Sequence, residues 1–302
     1  MRIFVVGTGG LGGYFGGLLA KADNDVTFLA RGEHYNVIKE RGLKVKTVLG
    51  DFIITPAKVA ENINEITDPD LIIFTVKTYD TENAARELAK VVDKKTIIIS
   101  FQNGIDNDNE IKKHIKDAKV FPGLAFVVSV RTTPGVIEQT GGPRKFIFGD
   151  RESPHNQQLK IIEKLMREAE IDASVSSDIT SDLWKKFIFI TAFSGMTVIC
   201  RANIGKVLSN QIAAKTYERC VKEAITLALA LRVNLPGTIF QDVMGLTKTL
   251  PADSKSSLLV DIENNRENEI ETLNGTLVRL ARKYNIDVPI NELIYGAVKL
   301  LP

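Results

Sequence analysis

The first half of the chain alternates short apolar runs with segments of helical periodicity. Unbroken apolar runs of about four to six residues are typical of strands that are buried on both faces of a parallel sheet. The pattern predicts strands at 2–6, 25–30, 71–76, 96–101 and 120–130, helices at 14–22, 81–92 and 105–115, a hairpin at 43–54, and an antiparallel pair within 136–148. This alternation predicts an α/β fold with a Rossmann-type, doubly wound sheet.

Strand patterns end after a predicted helix at 153–170, with Ser153 as its N-cap, and a last strand at 171–175. The rest of the chain has helical periodicity, which predicts helices at 183–201, 210–232, 238–248, 256–262, 268–284 and 290–300. We therefore predict a dinucleotide-binding domain over residues 1–177 and an all-α C-terminal domain over residues 178–302. A small substrate is expected in a cleft between two such domains.

The first predicted strand leads into a Gly-x-Gly-x-x-Gly pattern that precedes a helix. In dinucleotide-binding turns the first glycine permits the tight turn, the second admits a pyrophosphate, and the third lets the helix pack closely. The helix N-terminus adds free N–H groups that attract phosphate. The residues predicted to bind a coenzyme here are Gly7, Thr8, Gly9, Gly10, Leu11 and Gly12. A purely steric glycine loop and a methyltransferase loop for S-adenosylmethionine are the alternatives.

Arg31 follows the second strand, where NAD-binding chains usually carry Asp or Glu for the ribose hydroxyls. A guanidinium pairs with a 2′-phosphate in a bidentate way, whereas a carboxylate repels it. Arg31 therefore favours NADP(H) over NAD(H), and a solvated surface arginine is the alternative.

Composition narrows the class of protein. With 302 residues the chain is long enough for two domains, and its net charge of +2 gives no reason to expect nucleic acid or an anionic membrane as a partner. The three histidines are scattered, and Cys200 and Cys220 fit no disulfide or metal pattern, so we expect no metal and place both cysteines in the core. Because we find no signal peptide and no membrane-spanning run, we expect a soluble, cytoplasmic protein.

Polar residues follow two of the predicted buried strands. Lys77 comes directly after strand 71–76, and Asn103 follows strand 96–101. Ligands of such sheets bind outside the carboxyl ends of the strands, so both residues are predicted to contact the coenzyme, and Asn103 also the substrate. A surface lysine and an ordinary turn residue are the alternatives.

The predicted helix 183–201 is apolar nearly all round, which indicates a buried helix that nevertheless carries Lys185 and Lys186 near its start. An isolated ammonium is costly to bury, and desolvation lowers the pKa of a lysine toward values that suit proton donation. The spacing of residues along the helix does not indicate which of the two lysines is functional, and the alternative is that both side chains extend to water. Residues 256–271 add serines and carboxylates as a third candidate region.

Taken together and in order, these features resemble the ketopantoate reductase (2-dehydropantoate 2-reductase) family over essentially the whole chain. The matching segments are Gly7 to Gly12, Arg31, Val76-Lys77, Asn103-Gly104, Leu183-Trp184-Lys185-Lys186-Phe187, Ser256-Ser257 with Asp261, and Glu269 followed by Asn274-Gly275. The resemblance implies NADPH, a 2-oxo acid substrate and a role in pantothenate and coenzyme A biosynthesis. It also places the catalytic lysine on Lys186, its acidic partner on Glu269, and a substrate-binding serine on Ser257.

One departure from the family concerns the substrate. Family members carry asparagines one and two helical turns after the catalytic lysine, where this chain has Ile190 and Ser194. An isoleucine cannot hydrogen-bond the hydroxyl of ketopantoate, so these substrate-binding positions demand that group less strongly.

The implied activity is NADPH-dependent reduction of 2-dehydropantoate to pantoate. Reduction of a different 2-oxo acid and a non-catalytic NADPH-binding regulator are the alternatives. The apolar C-terminal helices are compatible with a homodimer surface and equally with a core.

Overall fold

The computed structural model describes residues 1–301. The chain divides into two compact units, residues 1–102 with 106–179, and residues 103–105 with 180 onward. The predicted fold class is confirmed, because the first unit is built on a mixed sheet with helices, and the regular elements among the described residues of the second are helices.

The sheet of the first unit has ten strands over the described residues. Their bounds are β1 (Arg2–Val6), β2 (Asp25–Leu29), β3 (Leu43–Thr47), β4 (Phe52–Ile54), β5 (Lys58–Ala60), β6 (Leu71–Phe74), β7 (Ile97–Ser100), β8 (Lys119–Thr133), β9 (Val136–Phe148) and β10 (Asp172–Val175). The strand order is β4-β3-β9-β8-β7-β6-β1-β2-β5, with β10 paired to β9. β1 pairs in parallel with β2 and β6, so the carboxyl ends of these three strands lie at one edge of the sheet.

Alternate residues of the central strands pack on opposite faces of the sheet. The helices of this unit are α1 (Gly10–Lys21), α2 (Gly32–Arg41), α3 (Thr81–Leu88), α4 (Asn107–His114) and α5 (Gln157–Glu168). Val5 of β1 belongs to the same apolar core as Phe15 of α1, whereas Val6 belongs to a second core with Ala85 of α3. Because successive side chains of a strand point to opposite faces of the sheet, each central strand contributes to an apolar core on both faces, as a doubly wound fold requires.

Two predictions for this unit are wrong in detail. Residues 136–148 form the single strand β9 rather than a pair, because the long strand β8 supplies its antiparallel partner. Shifts in the register between β8 and β9 accommodate the glycines within β9. The helix predicted at 153–170 begins later, and its N-cap is Asn156 rather than Ser153. The Asn156 side chain accepts from the N–H of Gln158 at 3.0 Å, which satisfies one of the free donors of the first turn.

From residue 179 onward the helices are α6 (Ile179–Ile199), α7 (Ile204–Ser209), α8 (Gln211–Ala230), α9 (Ile239–Thr249), α10 (Ser257–Glu263), α11 (Thr276–Tyr284) and α12 (Pro289–Val298). A π-helical turn, Glu271–Gly275, leads into α11. Cys220 is buried as predicted, but Cys200 is exposed, because α6 ends at the residue before it. Within residues 1–301, no helix combines the length and the apolar character that crossing a membrane requires.

Candidate active site

The loop between β1 and α1 leaves the N-terminus of the helix open. Gly7 has φ +106°, and a Cβ at this position would lie 2.6 Å from the backbone nitrogen of Val76. The Thr75 hydroxyl donates to the Gly7 carbonyl at 2.8 Å, which fixes the turn. α1 has Gly9 as its N-cap, with no side-chain cap and no acidic residue in its first turn. This helix terminus is therefore suited to an anion.

Gly9 differs from the other glycines of this loop, because a side chain at this position would not disturb the packing of the protein. A Cβ on Gly9 would meet no atom within 4 Å, whereas a Cβ on Gly12 would collide with the Gly7 carbonyl oxygen. Among residues 1–301, the N–H of Gly9 also finds no backbone acceptor. Open space and a free donor together fit the pyrophosphate of a dinucleotide, which approaches the second glycine of such turns.

The end of β2 carries both a positive and a negative side chain. Arg31 is exposed and is the N-cap residue of α2. The N–H of the next residue, Gly32, donates to the carboxylate of Glu61 at 3.4 Å. Glu61 follows β5, which pairs with β2. The apolar pattern of the sequence does not predict the short strand β5, so it gives no sign that this carboxylate lies beside Arg31. The two charges lie where the adenosine ribose binds in folds of this kind.

The residues predicted at the ends of the next two strands fall into different units. β6 ends at Phe74, earlier than predicted, and Lys77 is the partly buried N-cap of a short 3₁₀ helix, Thr78–Asp80, in the first unit. Asn103 comes three residues after β7 and belongs to the second unit.

Lys186 forms a small polar cluster in the second unit. Its Nζ donates to Oδ1 of Asn103 at 3.0 Å. Burial lowers the pKa of Lys186 to about 8, and the negative charge of Glu269, which is itself buried, acts in the opposite direction. Lys185 instead pairs with Asp182 at 3.0 Å and leaves 41% of its side chain exposed. A lowered lysine pKa beside a specific charge is typical of functional sites, and this feature distinguishes the buried Lys186 from the half-exposed Lys185.

Two further segments of the second unit are fixed to α6. Asn274, in the π-helical turn that follows Glu269, donates through Nδ2 to the Thr191 carbonyl at 3.5 Å. Ser256 caps α10 and shares a hydrogen bond of 2.8 Å with the hydroxyl of Thr197. The start of α10 and the segment after Glu269 are therefore anchored along the helix that carries Lys186. π-helical turns are frequent at functional sites.

The remaining predicted substrate residues differ in their surroundings. Ser257 is the exposed first residue of α10. Ile190 and Ser194 follow Lys186 by one and two turns on the same face of α6, and Ile190 is partly exposed. Ser194 is 1% exposed, and its hydroxyl has no hydrogen-bond partner within residues 1–301. Because buried polar groups are usually paired, this hydroxyl fits a ligand or a water molecule.

Known proteins resemble this chain along its full length. Residues 3–153 match the sequence profile described as "Ketopantoate reductase PanE/ApbA", and residues 178–301 match the profile of its C-terminal part. The crystal structure of 2-dehydropantoate 2-reductase from Methylococcus capsulatus has 30% sequence identity and a TM-score of 0.90, covering 100% of this chain and 96% of that one.

Two other similar proteins are not named as ketopantoate reductases. The uncharacterized oxidoreductase YkpB of Bacillus subtilis is 26% identical over 99% of this chain and 98% of its own length. A D-mandelate dehydrogenase solved with NADH and anilino(oxo)acetate shares the fold, with 22% identity and a TM-score of 0.89 over 99% of this chain and 97% of that one.

Proposed function

Because the chain belongs to the ketopantoate reductase PanE/ApbA family, which comprises dinucleotide-binding oxidoreductases, we propose that it reduces a 2-oxo acid with NADPH. The first candidate substrate is 2-dehydropantoate, and the product would be pantoate for pantothenate and coenzyme A biosynthesis. We assign the pyrophosphate to Gly9 to Leu11 and the 2′-phosphate to Arg31. Lys77 and Asn103 are the further proposed coenzyme contacts.

The proposed chemistry depends on Lys186. A bound reduced nicotinamide supplies the hydride that adds to the keto carbon. Negative charge then develops on the keto oxygen, and Lys186 stabilises this charge and gives the oxygen a proton. The observation that carries this role is a lysine whose pKa is lowered to about 8 while its Nζ bonds Asn103. Such a group is mostly protonated at neutral pH and still a competent acid.

The other residues of the second unit have supporting roles in this proposal. The negative charge of Glu269 raises the pKa of Lys186 and so helps to keep this lysine protonated. We also assign to Glu269 the role of orienting Lys186. Asn103 accepts a hydrogen bond from the ammonium and directs it. Ser257 offers an exposed hydroxyl to the carboxylate of the substrate.

Ile190 favours a second candidate, a 2-oxo acid with a wholly apolar side chain. It lies one helical turn after Lys186 and offers no hydrogen bond to a substrate hydroxyl. Ser194 is the polar group that remains two turns after Lys186 on this face, and its buried hydroxyl lacks a partner in the described chain. The D-mandelate dehydrogenase that shares this fold is named for a 2-hydroxy acid whose side chain is a phenyl ring without a hydroxyl.

One comparison of substrates separates these candidates. NADPH oxidation is measured with 2-dehydropantoate and with 3,3-dimethyl-2-oxobutanoate, which lacks only the side-chain hydroxyl. A site built to bond that hydroxyl rejects the analogue by about 10⁴-fold in kcat/KM, whereas an apolar site treats both alike or prefers the analogue. Coenzyme binding without turnover of any 2-oxo acid would contradict both candidates and support a regulator.

We also propose that the chain forms a homodimer through its helical unit. Ile212 of α8 and Leu293 of α12 are 78% and 66% exposed, so both helices offer an apolar side chain that a second copy of the chain could cover. Light scattering is expected to give twice the mass of the chain, and a monomer mass would contradict this proposal.

A further inference from the structure

His34 is a buried histidine that contacts the coenzyme loop without belonging to it. It lies three residues after Arg31, in the first turn of α2, and is 4% exposed. Its Nδ1 accepts a hydrogen bond from the N–H of Gly135 at 2.8 Å, and its Nε2 lies 2.8 Å from the Thr8 carbonyl oxygen. Both ring nitrogens are thus engaged, one by the turn between β8 and β9 and one by the glycine loop.

These two contacts determine which nitrogen of His34 carries the proton. A neutral imidazole has one N–H donor and one acceptor nitrogen. Because Nδ1 accepts from a backbone N–H, the proton lies on Nε2, which donates to the Thr8 carbonyl. Burial lowers the pKa of His34, the hydrogen bond to the Thr8 carbonyl raises it in part, and the positive charge of Arg131 lowers it, with a net shift below the usual value. A lowered pKa agrees with the neutral ring that an accepting Nδ1 requires.

Thr8 is also fixed from the side of β2. Its N–H and its hydroxyl both donate to the Leu29 carbonyl, at 3.3 Å and 2.8 Å. In a planar trans peptide the carbonyl of one residue and the N–H of the next point in opposite directions. The bond from His34 therefore holds the Thr8 carbonyl on one side and turns the N–H of Gly9 to the other. A Cβ built on Gly9 would meet no atom within 4 Å, so this residue has open space beside it.

We propose that His34 is a positioning residue of the coenzyme site, whose hydrogen bond to the Thr8 carbonyl presets the Gly9 N–H for the pyrophosphate. This inference rests on the proposed function, since it requires a dinucleotide at the glycine loop. A group that is already oriented costs less to order on binding, so the bond contributes to coenzyme affinity. α2 also carries Arg31 at its N-terminus, so His34 ties the helix proposed to meet the 2′-phosphate to the loop proposed to meet the pyrophosphate.

Two amide substitutions separate the two hydrogen bonds of His34. In His34→Gln the amide nitrogen takes the place of Nε2 and still donates to Thr8, while the bond to Gly135 is lost. In His34→Asn the amide oxygen takes the place of Nδ1 and still accepts from Gly135, while the bond to Thr8 is lost. Each variant gives up one buried hydrogen bond, so both are expected to lower the Tm of the coenzyme-free protein by similar amounts.

The measured quantity is the dissociation constant of NADPH, obtained by calorimetry without substrate. We expect His34→Asn to raise it about tenfold or more, His34→Gln to stay within about threefold of the wild-type value, and kcat at saturating coenzyme to be similar in all three. Equal weakening by both variants, or by neither, would overturn the role of His34 and leave the proposed function standing. A wild-type chain that binds no NADPH would overturn both.

A measurement on the wild-type protein keeps the inference testable if either variant does not fold. Nitrogen-15 NMR of the His34 ring distinguishes the two tautomers. The inference requires the proton on Nε2 at neutral pH, with the coenzyme present and absent. A ring that carries its proton on Nδ1, or on both nitrogens, would overturn it.

Discussion

Lys186 is the residue whose ionisation sets the expected pH dependence of the reaction. Burial lowers its pKa to about 8, and Glu269 opposes part of that shift. Reduction needs the ammonium as the proton donor, so its kcat/KM should be level near neutrality and fall as pH rises through about 8. Oxidation of the 2-hydroxy acid needs the neutral amine, so its rate should rise over the same interval.

Substitution of Glu269 tests the electrostatic part of this argument. Without the negative charge the ammonium is less stabilised, so Glu269→Gln should lower the pKa of Lys186 and move the fall in reductive kcat/KM to lower pH. Steady-state rates from about pH 6 to about pH 10 measure the midpoint, with the exposed neighbour Glu267→Gln as a matched control. A midpoint that stays in place or moves to higher pH in Glu269→Gln would contradict the assignment.

Arg31 and Glu61 are expected to set the coenzyme preference in opposite directions. Arg31→Asp replaces the group that pairs with a 2′-phosphate by one that repels it, so the ratio of NADPH to NADH affinity should reverse. Glu61→Gln removes the carboxylate that accepts from the Gly32 N–H, so the same ratio should rise. Fluorescence titration with both coenzymes measures the ratio, and the NADP assignment fails if neither substitution changes it.

At the scale of elements, the loop from β1 to α1 permits a test that separates coenzyme binding from stability. Gly9 has φ −85°, which alanine adopts freely, and its Cβ would meet no protein atom. Gly9→Ala should change the free energy of unfolding by only about 0.5 kcal/mol and weaken NADPH binding about tenfold or more. Gly12→Ala, whose Cβ collides with the loop, should cost about 1–3 kcal/mol of stability. Unaltered NADPH binding by Gly9→Ala would show that no pyrophosphate lies at this position.

The elements that the sequence predicts well are those whose pattern is local. The runs that became β1, β6 and β7 are apolar at nearly every position, and buried parallel strands require this. α2 escaped prediction because it is mostly polar and buries only His34 and Ile38. The local pattern predicts an antiparallel pair where the structure has the single strand β9, because the pairing of β9 with β8 depends on contacts between the two strands that no local pattern contains.

At the scale of the whole chain, the candidate site joins residues that are remote in sequence. Lys186 bonds Asn103 across 83 positions, and neither residue signals the other in the sequence. The resemblance to a family assigns catalysis to Lys186, which is buried in the structure, whereas Lys185 pairs with Asp182 near the surface. The role inferred for His34 had no sequence signal, because one histidine on a polar helix resembles any surface residue.

The measurement that tests the account most directly is turnover of NADPH with a 2-oxo acid by Lys186→Ala, beside Lys185→Ala as the matched control. Loss of the proton donor should lower kcat by about 10²–10⁴, while the NADPH dissociation constant stays near the wild-type value and Lys185→Ala stays fully active. Wild-type turnover in Lys186→Ala together with inactivity in Lys185→Ala would contradict the assignment of the catalytic lysine.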